Sequence, residues 1–177
     1  MKIKQLILVF KLISTLSFSQ TEIDVLVEIE SGSNIKYEYK KGAIVCDSVE
    51  NKVRIIDYLN YPFNYGFIIN SSKQQDNDYL DAVLIGNRIS SGDTLSGRVI
   101  CMIETIDNDE EDNKVVLIHS SSSLYKNVQN LNDLNTYYPG VIEIIKIWFD
   151  NYKKESEVKR VLNTEQTMKK ISDYLLK

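Results

Sequence analysis

Apolar residues recur at every second position in short runs through the first two thirds of the chain. Ile23–Ile29 sets Ile23, Val25, Val27 and Ile29 against the acids Asp24 and Glu28. Ile35–Tyr39, Ala43–Cys46, Val53–Ile56, Phe67–Ile69, Ala82–Ile85, Arg98–Thr105 and Val115–Ile118 are further short runs rich in β-branched residues, each of strand length and composition. Gly32, Gly42, Gly86-Asn87 and Ser91-Gly92-Asp93 separate them as turns. Many short strands in one unit predict a small closed barrel or a sandwich. After Pro139 the period changes. Val141, Ile144, Ile145, Trp148, Phe149 and Tyr152 follow the spacing of one helical face, with Pro139 suited to the first turn. A second helix is expected from Asn163, with Gln166 completing an imperfect capping box and Met168, Ile171 and Leu175 as its buried face. The pattern as a whole is mainly β with α: a barrel carrying a long helix in its C-terminal region and a second, terminal helix.

The chain has 177 residues, 43% of them hydrophobic and 26% charged, which is ordinary for one globular domain. Its net charge of −4 argues against electrostatic capture of nucleic acid. Lys2 and Lys4 precede an apolar run from Leu6 to Phe18, and Ser17-Phe18-Ser19 has a small-x-small cleavage pattern. Residues 1–19 therefore read as a signal peptide, leaving a single domain over 20–177 with no stable membrane span once it is removed. The expected location is periplasmic or secreted if the segment is cleaved, and cytoplasmic if it is retained. Cys46 and Cys101 either pair in an oxidising compartment or are buried thiols.

Chemistry concentrates in a few clusters. Asp76, Asp78 and Asp81 fall within six residues, just after Tyr61-Pro62-Phe63-Asn64-Tyr65-Gly66-Phe67. Such close carboxylates repel unless solvated or offset by a divalent cation. Lys36 and Glu38 share one face of a strand by alternation, and Glu28 lies one strand earlier. A second acid-rich segment, Asp107 to Asp112, precedes Lys114, and Tyr152-Lys153 sits near the end of the long helix. Each cluster alone has a plain structural reading as a solvated loop, surface pair or core aromatic. Neither acidic segment is an EF-hand: Leu80 replaces an oxygen ligand in the first, and the second has Asp112 where Gly and Ile118 where Glu is needed. His119 is the only histidine, which excludes a site built on several histidines.

In order and spacing these blocks resemble the soluble family I inorganic pyrophosphatases, from Glu28 to the C-terminal helix. The resemblance implies a small closed OB-like β-barrel and metal-dependent hydrolysis of inorganic pyrophosphate to two orthophosphates, with several Mg²⁺ ions per site. It implies that Asp76, Asp81 and Asp112 hold activating metals and that Asp107 and Asp112 hold a further one arriving with substrate. Asp78 would be the general base on the attacking water. Lys36, Tyr65, Lys114, Tyr152 and Lys153 would bind phosphate oxygens, Glu28 and Glu38 would act partly through waters, and Tyr61 would orient the Asp loop. A homo-oligomer is compatible with the resemblance.

The chain departs from the family pattern at several points. The family carries Arg after the Asp that ends its third strand; here Ser48 follows Asp47, and the segment to Tyr61 is longer. Arg54 lies inside that longer segment and is the candidate replacement. Asn77 and Tyr79 stand where the signature loop has Gly and Pro, Glu30 where a Pro follows the first Glu, and Asn108 where the second loop usually has an acid. The alternative reading is an exported barrel that keeps the metal-site residues but only binds a phosphorylated or acidic ligand.

Overall fold

The structure is a computed structural model and describes residues 22–72 and 78–175. The N-terminal signal-like segment and Asp76 with Asn77 lie outside the described residues. In chain order the elements are β1 (Glu22–Ile29), β2 (Tyr37–Lys40), β3 (Ala43–Cys46), β4 (Ser48–Val49), β5 (Lys52–Val53), β6 (Asn64–Ile68) and β7 (Asp81–Ile85). They continue with β8 (Thr94–Asp107), β9 (Glu110–Glu111), β10 (Lys114–His119), α1 (Leu131–Tyr137), α2 (Val141–Asn151), β11 (Ser156–Leu162) and α3 (Thr164–Ile171).

Strands β1, β6, β7, β10 and β8 pair in that order, and β8 pairs back onto β1 to close the barrel. Closure leaves these strands without free edges. The β7–β10 pair is parallel and the other pairs in the ring are antiparallel. The long β8 is the hub: its first part meets β1, its middle β10, and its last part β11. Alternation along the walls feeds two cores. Val83, Ile85, Val116 and Ile118 pack with Phe63, Ile142, Ile145, Trp148 and Phe149. Ala82, Leu84, Val115 and Leu117 pack on the other side with Val25, Val27, Met102, Leu162 and Ile171. Because β7 and β10 are buried on both faces, they read as continuous apolar runs rather than strict alternation. Gly66 belongs to this wall by necessity, since a Cβ there would lie 1.9 Å from the Leu26 carbonyl oxygen.

The C-terminal third differs from expectation in four ways. The long helix is 11 residues, and Pro139 precedes it, with Gly140 as N-cap in the left-handed region at φ 89°. Its buried face is Ile142, Ile145, Trp148 and Phe149, whereas Ile144 is 57% exposed. Strand β11 separates α2 from α3, and the short α1 precedes α2; neither is evident from periodicity. α1 buries only Leu134, and the charges of Glu157, Lys159 and Arg160 mask the alternation of β11, which sits at the margin of the sheet. The Asn163 capping box is complete and Ile171 is buried as expected, with Met168 and Leu175 half-buried against the same core; the difference is that Thr167 is buried too and Leu175 lies beyond α3, in a bridge to Ser71. Cys46 is an exposed free thiol and Cys101 a buried one, so the two do not pair and Cys46 is not buried.

Candidate active site

The parallel pairing of β7 with β10 sets the centre of the site, because their first residues, Asp81 and Lys114, lie opposite one another in register. Asp112 lies two residues before Lys114, and its loop is pinned by reciprocal bonds: the Asp112 N–H donates to the Thr105 carbonyl at 3.0 Å, and the Thr105 hydroxyl donates to the Asp112 carbonyl. The Lys114 side chain is 1% exposed, and its ammonium donates to Asp81 Oδ2 at 2.5 Å and to Asp112 Oδ1. A buried ammonium is tolerable only with such partners. Burial alone would depress the Lys114 ammonium, but Asp81 and Asp112 reverse this and hold it above its ordinary value. The Tyr65 hydroxyl, from β6, also donates to Asp81 Oδ2. Burial, only partly offset by Lys114, pushes the Asp81 carboxyl up to about 6. Burial opposes ionisation of Asp112 too, yet Lys114 and then Lys153 bring it below the usual carboxylate range.

Above this floor opens a cleft of about 390 Å³. Lys153, just past α2, donates to Asp107 Oδ2 and lies 3.6 Å from Asp112 Oδ2. Tyr152 stacks on Trp148 with ring centroids 4.5 Å apart, and Tyr61 packs on the same indole at 4.5 Å. Burial raises the Tyr61, Tyr65 and Tyr152 phenols, so all three stay protonated donors near neutrality. On the opposite wall, Lys36 is 3.3 Å from Glu38 and 3.7 Å from Asp47. Glu28 accepts from the Tyr39 N–H at 2.6 Å, and burial pushes its carboxyl up to about 7. Asp78 lies at the exposed rim. Glu28, Lys36, Glu38, Tyr61, Tyr65, Asp78, Asp81, Asp107, Asp112, Tyr152 and Lys153 all line this one cleft, with Lys114 directly beneath. Residues far apart in sequence are thus gathered around one anionic-and-cationic surface.

A family model described as inorganic pyrophosphatase matches residues 25–175. The chain is 34% identical over 138 residues to the inorganic pyrophosphatase of Saccharolobus solfataricus, covering 75% of each. The chain belongs to the inorganic pyrophosphatase family. It is also 38% identical over 117 residues to the Sulfolobus acidocaldarius inorganic pyrophosphatase, covering 63% of this chain and 64% of that protein, just under two thirds of its length. Among solved structures, an N-terminally truncated vacuolar soluble pyrophosphatase of Trypanosoma cruzi in complex with PPi superimposes with a TM-score of 0.83 at 20% identity, covering 97% of this chain and 73% of that one. The Coxiella burnetii inorganic pyrophosphatase gives 0.77 at 24% identity, covering 88% and 94%. These two establish likeness of fold.

The donor set of this pyrophosphatase-family cleft fits a hard divalent cation, since every candidate ligand is a carboxylate oxygen. Among the described residues no three acidic, His or Cys side chains converge on one point. Ammonium groups stand between them instead: Lys114 between Asp81 and Asp112, and Lys153 between Asp107 and Asp112.

The departures from the family pattern also acquire physical reasons. The extra residues after Asp47 form the β4–β5 hairpin, which closes where the Arg54 N–H donates to the Asp47 carbonyl at 2.8 Å. The chain thereby returns to Asp47, and the Arg54 guanidinium sits 3.2 Å from its carboxylate. Arg54 opens onto a second cleft that shares Tyr152 and Lys153 with the first. Tyr79 stacks on Phe67 with centroids 4.9 Å apart, so packing holds the residue where a proline ring would. Asn108 and Asp109 both have positive φ, 49° and 66°, and make the tight β8–β9 turn that Asn favours. Glu30 pairs with Arg88 at the surface.

Sequence reasoning missed Lys40, Tyr37, Tyr39 and Phe67 as cleft residues. Lys40 pairs with Glu38, and the period-two rule that put Lys36 and Glu38 on one face places Lys40 there as well.

Proposed function

We propose that this protein hydrolyses inorganic pyrophosphate to two orthophosphates. The observation that carries this reading is the alternation Asp81–Lys114–Asp112–Lys153–Asp107 across the floor and wall of one cleft, with Asp78 at its rim. Carboxylates to hold cations and cations to hold phosphates meet within a volume of roughly a dozen waters, enough for a small hydrated anion. Asp81 and Asp112, together with Asp76, would hold divalent metal, with Asp107 and Asp112 holding a further ion; Mg²⁺ is the proposed metal. When bound, such ions neutralise phosphate charge and acidify a water ligand. Lys36 and Lys153 would present ammonium groups to phosphate oxygens; the Tyr152 phenol remains protonated and can donate, and Tyr65 would donate once its single O–H leaves Asp81. The Asp78 carboxylate, at the rim of the cleft, would accept a proton from the attacking water, a role that needs only hydrogen-bond reach. Arg54, which lines the second cleft and pairs with Asp47, would swing from there to supply the bidentate phosphate contact. No observation favours the binding-only reading.

Release of orthophosphate from pyrophosphate, with Mg²⁺ and with chelator, tests the proposal. We also propose export through the N-terminal segment, supported by its charge and hydrophobicity pattern. Mature protein beginning near Gln20 supports it, and protein retaining residues 1–19 contradicts it.

A further inference from the structure

The ladder between β6 and β7 runs to Phe67 opposite Asp81. The next pair, Ile68 and Leu80, is joined by one direct bond, from the Ile68 N–H to the Leu80 carbonyl at 2.9 Å. An antiparallel pair of this kind ordinarily exchanges a second bond in the opposite direction. Here that bond runs through a side chain. The Leu80 N–H donates to the Ser71 hydroxyl oxygen at 3.0 Å, and the same hydroxyl donates to the Ile68 carbonyl at 2.8 Å. Ser71 and Leu80 are both 0% exposed, so water offers neither group another partner, and leaving one unpaired is costly. Ser71 reaches this place because Asn70 turns the chain through the left-handed region at φ 61°, which Asn tolerates. The C-terminal tail then braces it. Ser71 forms a bridge with Leu175, and the Ser72 N–H donates to the Tyr174 carbonyl at 2.5 Å. Tyr174 and Leu175 pack against the core that contains Ile68 and Leu80.

We infer that Ser71 is a positioning residue: its hydroxyl, wedged between the ends of β6 and β7 and braced by the C-terminal tail, sets the path by which residues 78–81 enter the cleft. The inference rests on the proposed function of the cleft. Asp81 follows Leu80 directly and has further anchors of its own in Lys114 and Tyr65. Asp78 stands at the exposed rim. Between it and β7 lie the Tyr79 ring, stacked on Phe67, and the Leu80 backbone, whose N–H and carbonyl are both bonded. Without the hydroxyl, Ile68 and Leu80 close into a direct bond or leave the Leu80 N–H unpaired. Either outcome redirects the backbone that carries Asp78, and a displacement of about 1 Å at a reacting group can cost roughly 100-fold in rate. Ser71 touches neither substrate nor metal ligand; it acts through Leu80.

The test compares wild type, Ser71→Ala, Ser71→Thr and Thr167→Val as full-length folded proteins, by Mg²⁺-dependent turnover of pyrophosphate and by amide hydrogen exchange. Thr167 is the control, a 0% exposed hydroxyl on α3 that donates to the Leu162 and Asn163 carbonyls. Ser71→Ala should lower kcat by roughly 10- to 100-fold while KM stays near wild type, the mark of an interaction that matters in the transition state. Ser71→Thr keeps the hydroxyl and should recover most of that loss. Exchange at residues 78–81 should accelerate in Ser71→Ala alone, because the Leu80 N–H loses its acceptor. Thr167→Val should leave both kcat and that exchange as in wild type. The inference is overturned if Ser71→Ala matches wild type in kcat or in exchange at residues 78–81. It is equally overturned if Thr167→Val loses as much turnover, or if Ser71→Thr is no better than alanine. A wild type that releases no orthophosphate contradicts the proposed function instead, and the exchange comparison then decides the role of Ser71 by itself.

Discussion

Replacing Lys114 by Met should expose how much electrostatic tension the metal-free site holds. The methionine fills similar space in a site where the lysine is 1% exposed, so the packing loss is small and the lost charge dominates. Asp81 and Asp112, 18% and 13% exposed, would then face each other without an ammonium between them. Removing one partner of a buried pair typically costs about 3–5 kcal/mol, which for a domain of this size lowers Tm by roughly 10 °C. The penalty should depend on pH. Asp81 already titrates at about 6, and loss of Lys114 moves it higher, so at acidic pH the variant escapes by taking up a proton. Denaturant unfolding in chelator should therefore show the full loss at pH 8 and a much smaller one near pH 5. Millimolar Mg²⁺ at pH 8 should restore part of the stability, because a dication can replace the missing ammonium. A loss below about 1 kcal/mol, or one equal at both pH values and indifferent to Mg²⁺, would refute the reasoning.

Three further outcomes are expected. Asp78→Asn should lower turnover on pyrophosphate by about 10²–10⁴-fold, the usual range for a proton-transfer residue, while Mg²⁺ binding by calorimetry stays near wild type; unchanged turnover removes Asp78 from the reaction. Arg54→Ala should raise KM by roughly 10- to 100-fold, the value of a charged hydrogen bond, and an unchanged KM means that the β4–β5 hairpin does not deliver a phosphate ligand. Glu28→Gln should stabilise the metal-free protein at alkaline pH: a carboxyl raised from 4.5 to about 7 favours the protonated folded state, so wild-type stability falls as pH rises across that interval. The variant should gain about 2–3 kcal/mol at pH 8 and almost nothing at pH 4, and a gain that is flat with pH contradicts the burial of Glu28.

The site was largely legible in the chain because its residues sit at strand starts and loop positions marked by their own apolar neighbours. Asp81 and Lys114 open the two runs that become the parallel pair, and Lys36 and Glu38 obey period two. What stayed hidden depends on long-range pairing. Nothing local says that Lys114 is buried between Asp81 and Asp112 rather than facing a ligand, since that follows from the register of β7 with β10. Nor does the run after Asp47 reveal that its extra residues fold out as a hairpin and bring Arg54 back; that needs the bond between Arg54 and Asp47. In the C-terminal third, α1 was too short to establish a helical period, and the Lys and Glu side chains of β11 obscured its strand period. Ile144 fitted the apolar spacing of α2, but α1 and the barrel cover the Ile142, Ile145 and Phe149 side instead.

The central claim is that the cleft around Asp81, Lys114, Asp112 and Lys153 hydrolyses pyrophosphate. Orthophosphate release by the purified protein, measured across a Mg²⁺ titration, addresses it most directly. Metal-dependent release that chelator abolishes is the expected result. Absence of release at every Mg²⁺ concentration, from protein shown to be folded, contradicts it.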